Sequence, residues 1–198
     1  MQPDVTYLSS LIGSRICHDL ISPIGAIANG LELLDMAGGA ATPEMALISD
    51  SVGHAGARIR FFRIAFGMPG EERLPRAEIV AILRDLDKGH KISTQWQVEG
   101  DSKRSEVRLA FLALLCVETT LAFGGGVEVT EHDGRWQVAA RAERLRVDAD
   151  LWADLTGGDR TVRITPSLVQ FALLPAALAT ARRDLTVQLD TDTVAIRF

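Results

Sequence analysis

Cysteine is nearly absent from this chain of 198 residues. Cys17 and Cys116 are the only two, neither belongs to a Cys-x-x-Cys pair, and each lies inside an apolar run. That excludes a disulfide scaffold and a thiolate metal site, and reads both thiols as small core residues in a reducing compartment. Basic residues are scarce as well: 21 Lys and Arg face 26 Asp and Glu, for a net charge of −5. A surface that neutralises nucleic-acid phosphates needs the opposite balance, and the one basic cluster, Arg58, Arg60 and Arg63, sits on a single predicted helix. No apolar run approaches the roughly 20 residues that cross a bilayer. The stretch from Met1 to Ser10 lacks the basic start and apolar continuation of a leader, so the expected location is cytoplasmic, away from membranes. Nor is there a Gly-x-Ser-x-Gly elbow, a Walker loop or a His-Glu-x-x-His helix.

What is abundant is apolar side chain, 47% of the residues, enough for real cores in one large or two small domains. Leu8, Ile12, Ile16, Leu20, Ile24, Ile27, Leu31 and Leu34 recur every three or four positions and predict a long amphipathic helix over residues 7–37, bent by Pro23. His18 is off that stripe. It shares a second line with Ser14, Ser22, Gly25 and Asn29, a face of small and polar side chains around one imidazole. A neutral imidazole has a free ring nitrogen at cytoplasmic pH and is a nucleophile without further activation. Asp19, its neighbour, can take the proton of the other nitrogen if its carboxylate curls back, since adjacent helical positions diverge.

Gly38-Gly39-Ala40-Ala41 predicts a turn, Thr42 an N-cap and Pro43 the first position of a second helix reaching about Phe66, with Met45, Ile48, Val52, Ala55, Ile59, Phe62 and Phe66 on its apolar line. Two such helices bury one face each and leave the rest wet. A two-fold dimer closing a four-helix bundle is therefore expected ahead of a monomer in which the second half covers the hairpin.

The Gly/Pro-rich joint around Gly67-Met68-Pro69-Gly70 sets the boundary between residues 1–70 and 71–198. Beyond it the pattern alternates. Helices are expected over residues 75–87, 107–122, 148–155 and 166–181, and strands over 92–98, 127–131, 136–141, 185–189 and 194–198, with a tight turn at His132-Asp133-Gly134. The whole is an α+β protein: a helical hairpin followed by an α/β sandwich with helices on one face of a mixed sheet. Gly157-Gly158 reads as a turn, and Trp96, Trp136 and Trp152 as core or interface anchors. His54, His90 and His132 are scattered in sequence without metal-ligand spacing, which places them on the surface. Glu118, inside the most apolar helix, is expected to be paired or at a rim.

His18-Asp19-Leu20-Ile21-Ser22-Pro23 resembles the phospho-acceptor box of sensor histidine kinases, and the continuation Ile24-Gly25-Ala26-Ile27-Ala28-Asn29-Gly30-Leu31-Glu32 with Phe61-Phe62-Arg63-Ile64-Ala65-Phe66-Gly67 is similar to the ChpT-type histidine phosphotransferases of alphaproteobacteria. The likeness is strong over residues 7–67 and diffuse afterwards. Sensor kinases follow their hairpin with an ATP-binding domain. Here the helix that should carry a magnesium-holding Asn, residues 112–122, has none; the place of the Asp-x-Gly-x-Gly turn reads Ala142-Glu143-Arg144-Leu145-Arg146; and the lid position, Arg163-Ile164-Thr165-Pro166-Ser167-Leu168, has no glycine. Gly124-Gly125-Gly126 precedes a strand and makes a poor phosphate cradle. A kinase-like shape without a nucleotide site is expected, as the resemblance also implies.

The resemblance implies a phosphorelay in which His18 is the phospho-acceptor, Asp19 orients and assists it, and Ser22 occupies the position where related kinases align water for dephosphorylation. Ser14, Arg15, Ile21, Gly25, Ala26 and Asn29 are the expected docking face for a receiver domain. No cofactor belongs to the chain, and Mg2+ is expected from the receiver's acidic pocket. The implied partners are a second copy of the chain, the receiver of a hybrid histidine kinase as donor, and response regulators of the CtrA and CpdR type as acceptors. Two other readings remain open at this point: an ATP-dependent sensor kinase fragment whose motifs have drifted, and a non-catalytic dimeric module that only binds receivers.

Overall fold

In a computed structural model the chain is described over residues 5–36, 43–156 and 162–198. The expected Gly38-to-Ala41 turn, the Thr42 cap and the Gly157-Gly158 turn lie outside the described residues. Helix α1 spans Val5–Met36 and α2 spans Pro43–Ala65. α1 runs unbroken through Pro23, whose missing N–H leaves the Asp19 carbonyl without its usual intrahelical donor. Along the stripe, Leu8, Ile12 and Ile16 pack against the core, whereas Ile24 and Leu31 stay exposed; Leu11, off the stripe, is buried with them.

The rest of the described residues form two sheets and four more α-helices. β1 (Arg73–Leu74) and β3 (Ser102–Lys103) make a small antiparallel pair that the sequence pattern does not announce, since two-residue strands carry no period. The main sheet orders β2 (Ile92–Trp96), β4 (Gly125–His132), β5 (Arg135–Arg141), β7 (Thr193–Arg197) and β6 (Thr186–Leu189), with β2 and β4 parallel and the other neighbours antiparallel. The parallel pair requires a crossover, supplied by β3 and α4 (Arg104–Glu118). α4 is buried nearly throughout, from Val107 to Val117 save Arg108, between the sheet and the other helices. α3 (Arg76–Asp87), α5 (Ala149–Leu155) and α6 (Gln170–Ala181) complete the helical layer. Asp148 caps α5, accepting from the Leu151 N–H at 3.2 Å. A 3-10 turn over Pro166–Leu168 precedes α6, so the helix expected from residue 166 is split there.

The second half covers the base of the hairpin. Phe61, 1% exposed, stacks on Phe111 of α4 with ring centroids 4.4 Å apart, and Trp96 meets the same Phe111 edge-on. Four polar contacts across this boundary land on main-chain carbonyls: Tyr7 Oη donates to Ile164 O at 3.0 Å, Arg15 Nη1 to Ser167 O at 2.7 Å, Arg104 Nη2 to Arg63 O at 2.6 Å and Arg108 Nε to Gly67 O at 3.1 Å, while Arg60 Nη2 pairs with the Asp85 carboxylate at 3.1 Å. Arg104 and Arg108 meet carbonyls at and just past the end of α2, which have no helical donor of their own and carry the negative end of the helix dipole. The second half thus covers the base of the hairpin, while among the described residues toward its other end Leu31, Leu33, Met36, Met45 and Leu47 are exposed.

Gly124 and Gly125 both hold positive φ, and a Cβ at either would lie within 3 Å of a backbone carbonyl, Lys91 O or Arg141 O respectively. The glycine run is required by close strand packing at the start of β4.

Candidate phosphotransfer site

His18 sits midway along α1, and its side chain is 83% exposed. Its Nδ1 lies 3.1 Å from Asp19 Oδ1, so the carboxylate does curl back. An ionised carboxylate only accepts, so in the neutral imidazole Nδ1 carries the proton and Nε2 keeps the free lone pair, directed to solvent. Asp19 is itself mostly covered, 12% exposed, and its other oxygen, Oδ2, accepts from Arg15 Nε at 2.9 Å, with Arg58 Nη1 of α2 at 4.0 Å. Arg58 in turn lies over the Phe62 ring, 6.0 Å from its centroid. Two guanidinium groups therefore hold the carboxylate, and the carboxylate holds the ring.

Of the docking residues read from the sequence, Ser14, Ile21, Gly25 and Asn29 are exposed and Ala26 is partly buried, and Ser22, read as the water-aligning position, is exposed as well. A Cβ built on Gly25 meets nothing within 4 Å, so nothing inside the chain requires glycine there; the open space faces outward. Arg15 differs from its neighbours on this face, since its guanidinium is spent inward. Cys17 is exposed, contrary to its reading as a core thiol; on this helix its apolar sequence neighbours belong to other faces. Cys116 is buried, and burial pushes its thiol well above the usual range.

Beside His18 a cleft of about 620 Å³ opens between the hairpin and the second half, with Ser22 and Ala26 on one wall and His54, His90, Glu118 and Gln170 on the others. The fold brings together two histidines that sequence spacing left apart: His54 and His90 stack at 5.8 Å. Burial, with Arg58 and His54 nearby, lowers His90 below the ordinary histidine value against the opposing pull of Asp87. Among the described residues Glu118 has no hydrogen-bond or ion-pair partner; it sits part-buried on the cleft wall, the rim position expected rather than a paired one. Burial pushes it up to about 7, opposed by Arg58 and Arg15 and reinforced by Asp87 and Asp19. Gln170, 1% exposed, donates through Nε2 to Leu115 O at 3.3 Å and Ser167 O at 3.1 Å, while its Oε1 has no partner among the described residues. Only an unexpected charge in an apolar helix hinted at this cleft, through Glu118. Among the described residues no three His, Cys, Asp or Glu side chains are grouped to hold a metal ion.

The chain as a whole is similar to known phosphotransferases. Residues 76–193 match the family described as histidine phosphotransferase C-terminal domain. The protein phosphotransferase ChpT of Brucella abortus (strain 2308) is 36% identical over 149 residues, 71% of this chain and 70% of that one. A solved bacterial phosphotransferase superposes with a TM-score of 0.81 at 29% identity, covering 100% of this chain and 98% of the other.

Proposed function

The chain belongs to the ChpT-type histidine phosphotransferases, a family of transferases, and on that footing we propose that it relays phosphoryl groups between receiver-domain aspartates through a phosphohistidine at His18. The observation that carries this reading is the exposed imidazole with its Nδ1 held at 3.1 Å by Asp19. The Nε2 lone pair attacks the phosphorus of a receiver's aspartyl phosphate in line. As the N–P bond forms, the P–O bond breaks and its electron pair returns to the receiver's carboxylate. The imidazole, still protonated on Nδ1, becomes cationic, and Asp19 balances the charge or takes the proton. Transfer to a second receiver reverses the same path. Because phosphoryl transfer depends on positioning and charge stabilisation, with Mg2+ supplied by the receiver, the chain contributes a nucleophile and a docking face and no ATP site.

In this reading residues 1–70 carry transfer and dimerisation, and residues 71–198 support them. Ser14, Ile21, Gly25, Ala26 and Asn29 receive the partner, and Ser22, one turn from His18, is a weak site for water. Family membership supports a hybrid kinase's receiver as donor and regulators of the CtrA and CpdR type as acceptors. A two-fold dimer is supported by a line along α2, where Met45, Val52 and Ile59, seven residues apart, are each about half exposed. That repeat has the spacing of a helical-bundle seam, which supports closure against a second copy.

The test mixes the protein with a phosphorylated receiver and follows acid-labile, base-stable label with and without ATP. Label is expected on the wild type from the receiver alone and is expected to vanish in His18→Ala. Label from ATP would establish a kinase instead, and binding without label would leave a receiver-binding module.

A further inference from the structure

The imidazole geometry has a source outside the hairpin. An Arg preceding an Asp by one helical turn is the weaker order for such a pair on an isolated helix, because it runs against the helix dipole. Nor does a neighbouring carboxylate turn back onto His18 without being held. Here the Arg15 guanidinium is itself anchored: Nε donates to Asp19 Oδ2 at 2.9 Å while Nη1 donates to Ser167 O at 2.7 Å. The Ser167 carbonyl is filled by a second donor, Gln170 Nε2 at 3.1 Å, and that amide is fixed to Leu115 O of the buried helix α4. Both lone pairs of the carbonyl are used. With Oδ2 committed to Arg15 and faced by Arg58, Oδ1 is the oxygen left to hold Nδ1–H of His18.

We propose that Arg15 is a positioning residue for phosphotransfer, through which the 3-10 turn of the second half fixes the Asp19 carboxylate and hence the reactive tautomer of His18. This rests on the relay reading and gives the second half a task in it that needs no nucleotide. The planar fork of arginine is essential, since its donors reach two acceptors in fixed directions at once, whereas a lysine ammonium offers one point charge.

The experiment compares wild type, Arg15→Gln, Arg15→Lys and Gln170→Met, each checked for native melting, in transfer from a phosphorylated receiver and by the two-bond 1H–15N spectrum that reports the His18 tautomer. Arg15→Gln is expected to lower kcat about 10-fold or more with KM for the receiver within about 2-fold, and to shift His18 toward the Nε2–H form. Arg15→Lys is expected to recover part of the rate but not the tautomer. Gln170→Met, buried and out of a receiver's reach, is expected to move the tautomer and kcat in the same direction by a smaller factor. A rise in KM alone, with kcat and tautomer unchanged, would make Arg15 a docking contact and overturn the proposal, as would wild-type values throughout. If the wild type takes no label from any receiver, the relay reading fails, and the tautomer spectra still decide whether Arg15 positions the ring.

Discussion

At the scale of single residues, the site pairs one group that must be open with one that must be held. Asp19→Asn keeps size and shape but removes the charge that balances the phosphoimidazolium and lets the amide present either a donor or an acceptor to Nδ1. Transfer is expected to fall by about 10²-fold to 10⁴-fold with receiver binding unchanged, read by single-turnover kinetics against a binding titration. Glu118 makes a different prediction. Its carboxyl titrates near 4.5 in the unfolded chain and at about 7 in the folded one, so between these values the folded protein retains a proton that the unfolded chain has released. Stability therefore falls as pH rises through that window and is level above it, the loss being at most about 3 kcal/mol. Glu118→Gln is expected to flatten this slope and to gain about 1–3 kcal/mol at pH 8, measured by urea unfolding at pH 5 and pH 8; equal slopes in both proteins would contradict the burial argument. The contact between His18 and Asp19 was legible in the sequence because the two residues are neighbours on one helical turn. The pairing of His54 with His90 was not, because it joins two elements 36 positions apart that meet only when the hairpin docks.

At the scale of elements, periodicity located most helices and strands because each buries one face or is wholly enclosed, as Val107 to Val117 of α4 largely are. It missed β1 and β3, too short to have a period, and it merged the Pro166 turn with α6, since a proline followed by apolar residues reads equally as a helix start. Two elements suggest measurements. Gly25 faces open space in the middle of a helix, so Gly25→Ala is expected to stabilise the protein by about 0.5–1 kcal/mol. The same methyl group obstructs a partner's close approach, and KM for a receiver is expected to rise; a stabilised variant with unaltered KM would move the docking face elsewhere. Phe61 joins α2 to α4 through the stacked Phe111, and Phe61→Ala is expected to cost about 3–5 kcal/mol in chemical denaturation.

At the scale of the whole molecule, the sheet and its helices brace the lower hairpin and leave apolar side chains exposed at the other end. Val52→Glu is expected to convert a dimer to a monomer in light scattering while leaving the fold intact, since Val52 is exposed within one chain; an unchanged mass would remove the bundle from the account. The boundary between the halves has a consequence for how sequence can drift there. Tyr7, Arg15, Arg104 and Arg108 all reach across it to main-chain oxygens, and every residue type supplies the same oxygen. The receiving positions, Ile164, Ser167, Arg63 and Gly67, are thus free of any demand from these bonds on their side chains, while the four donors are not. Divergence along this seam should run unevenly: the four donors stand still and Ser167 and Arg63 are free to drift, while Ile164 is held by its place in the core and Gly67 by the Arg63 carbonyl that a Cβ there would meet, so the two halves remain in register even as part of the surface between them changes its spelling.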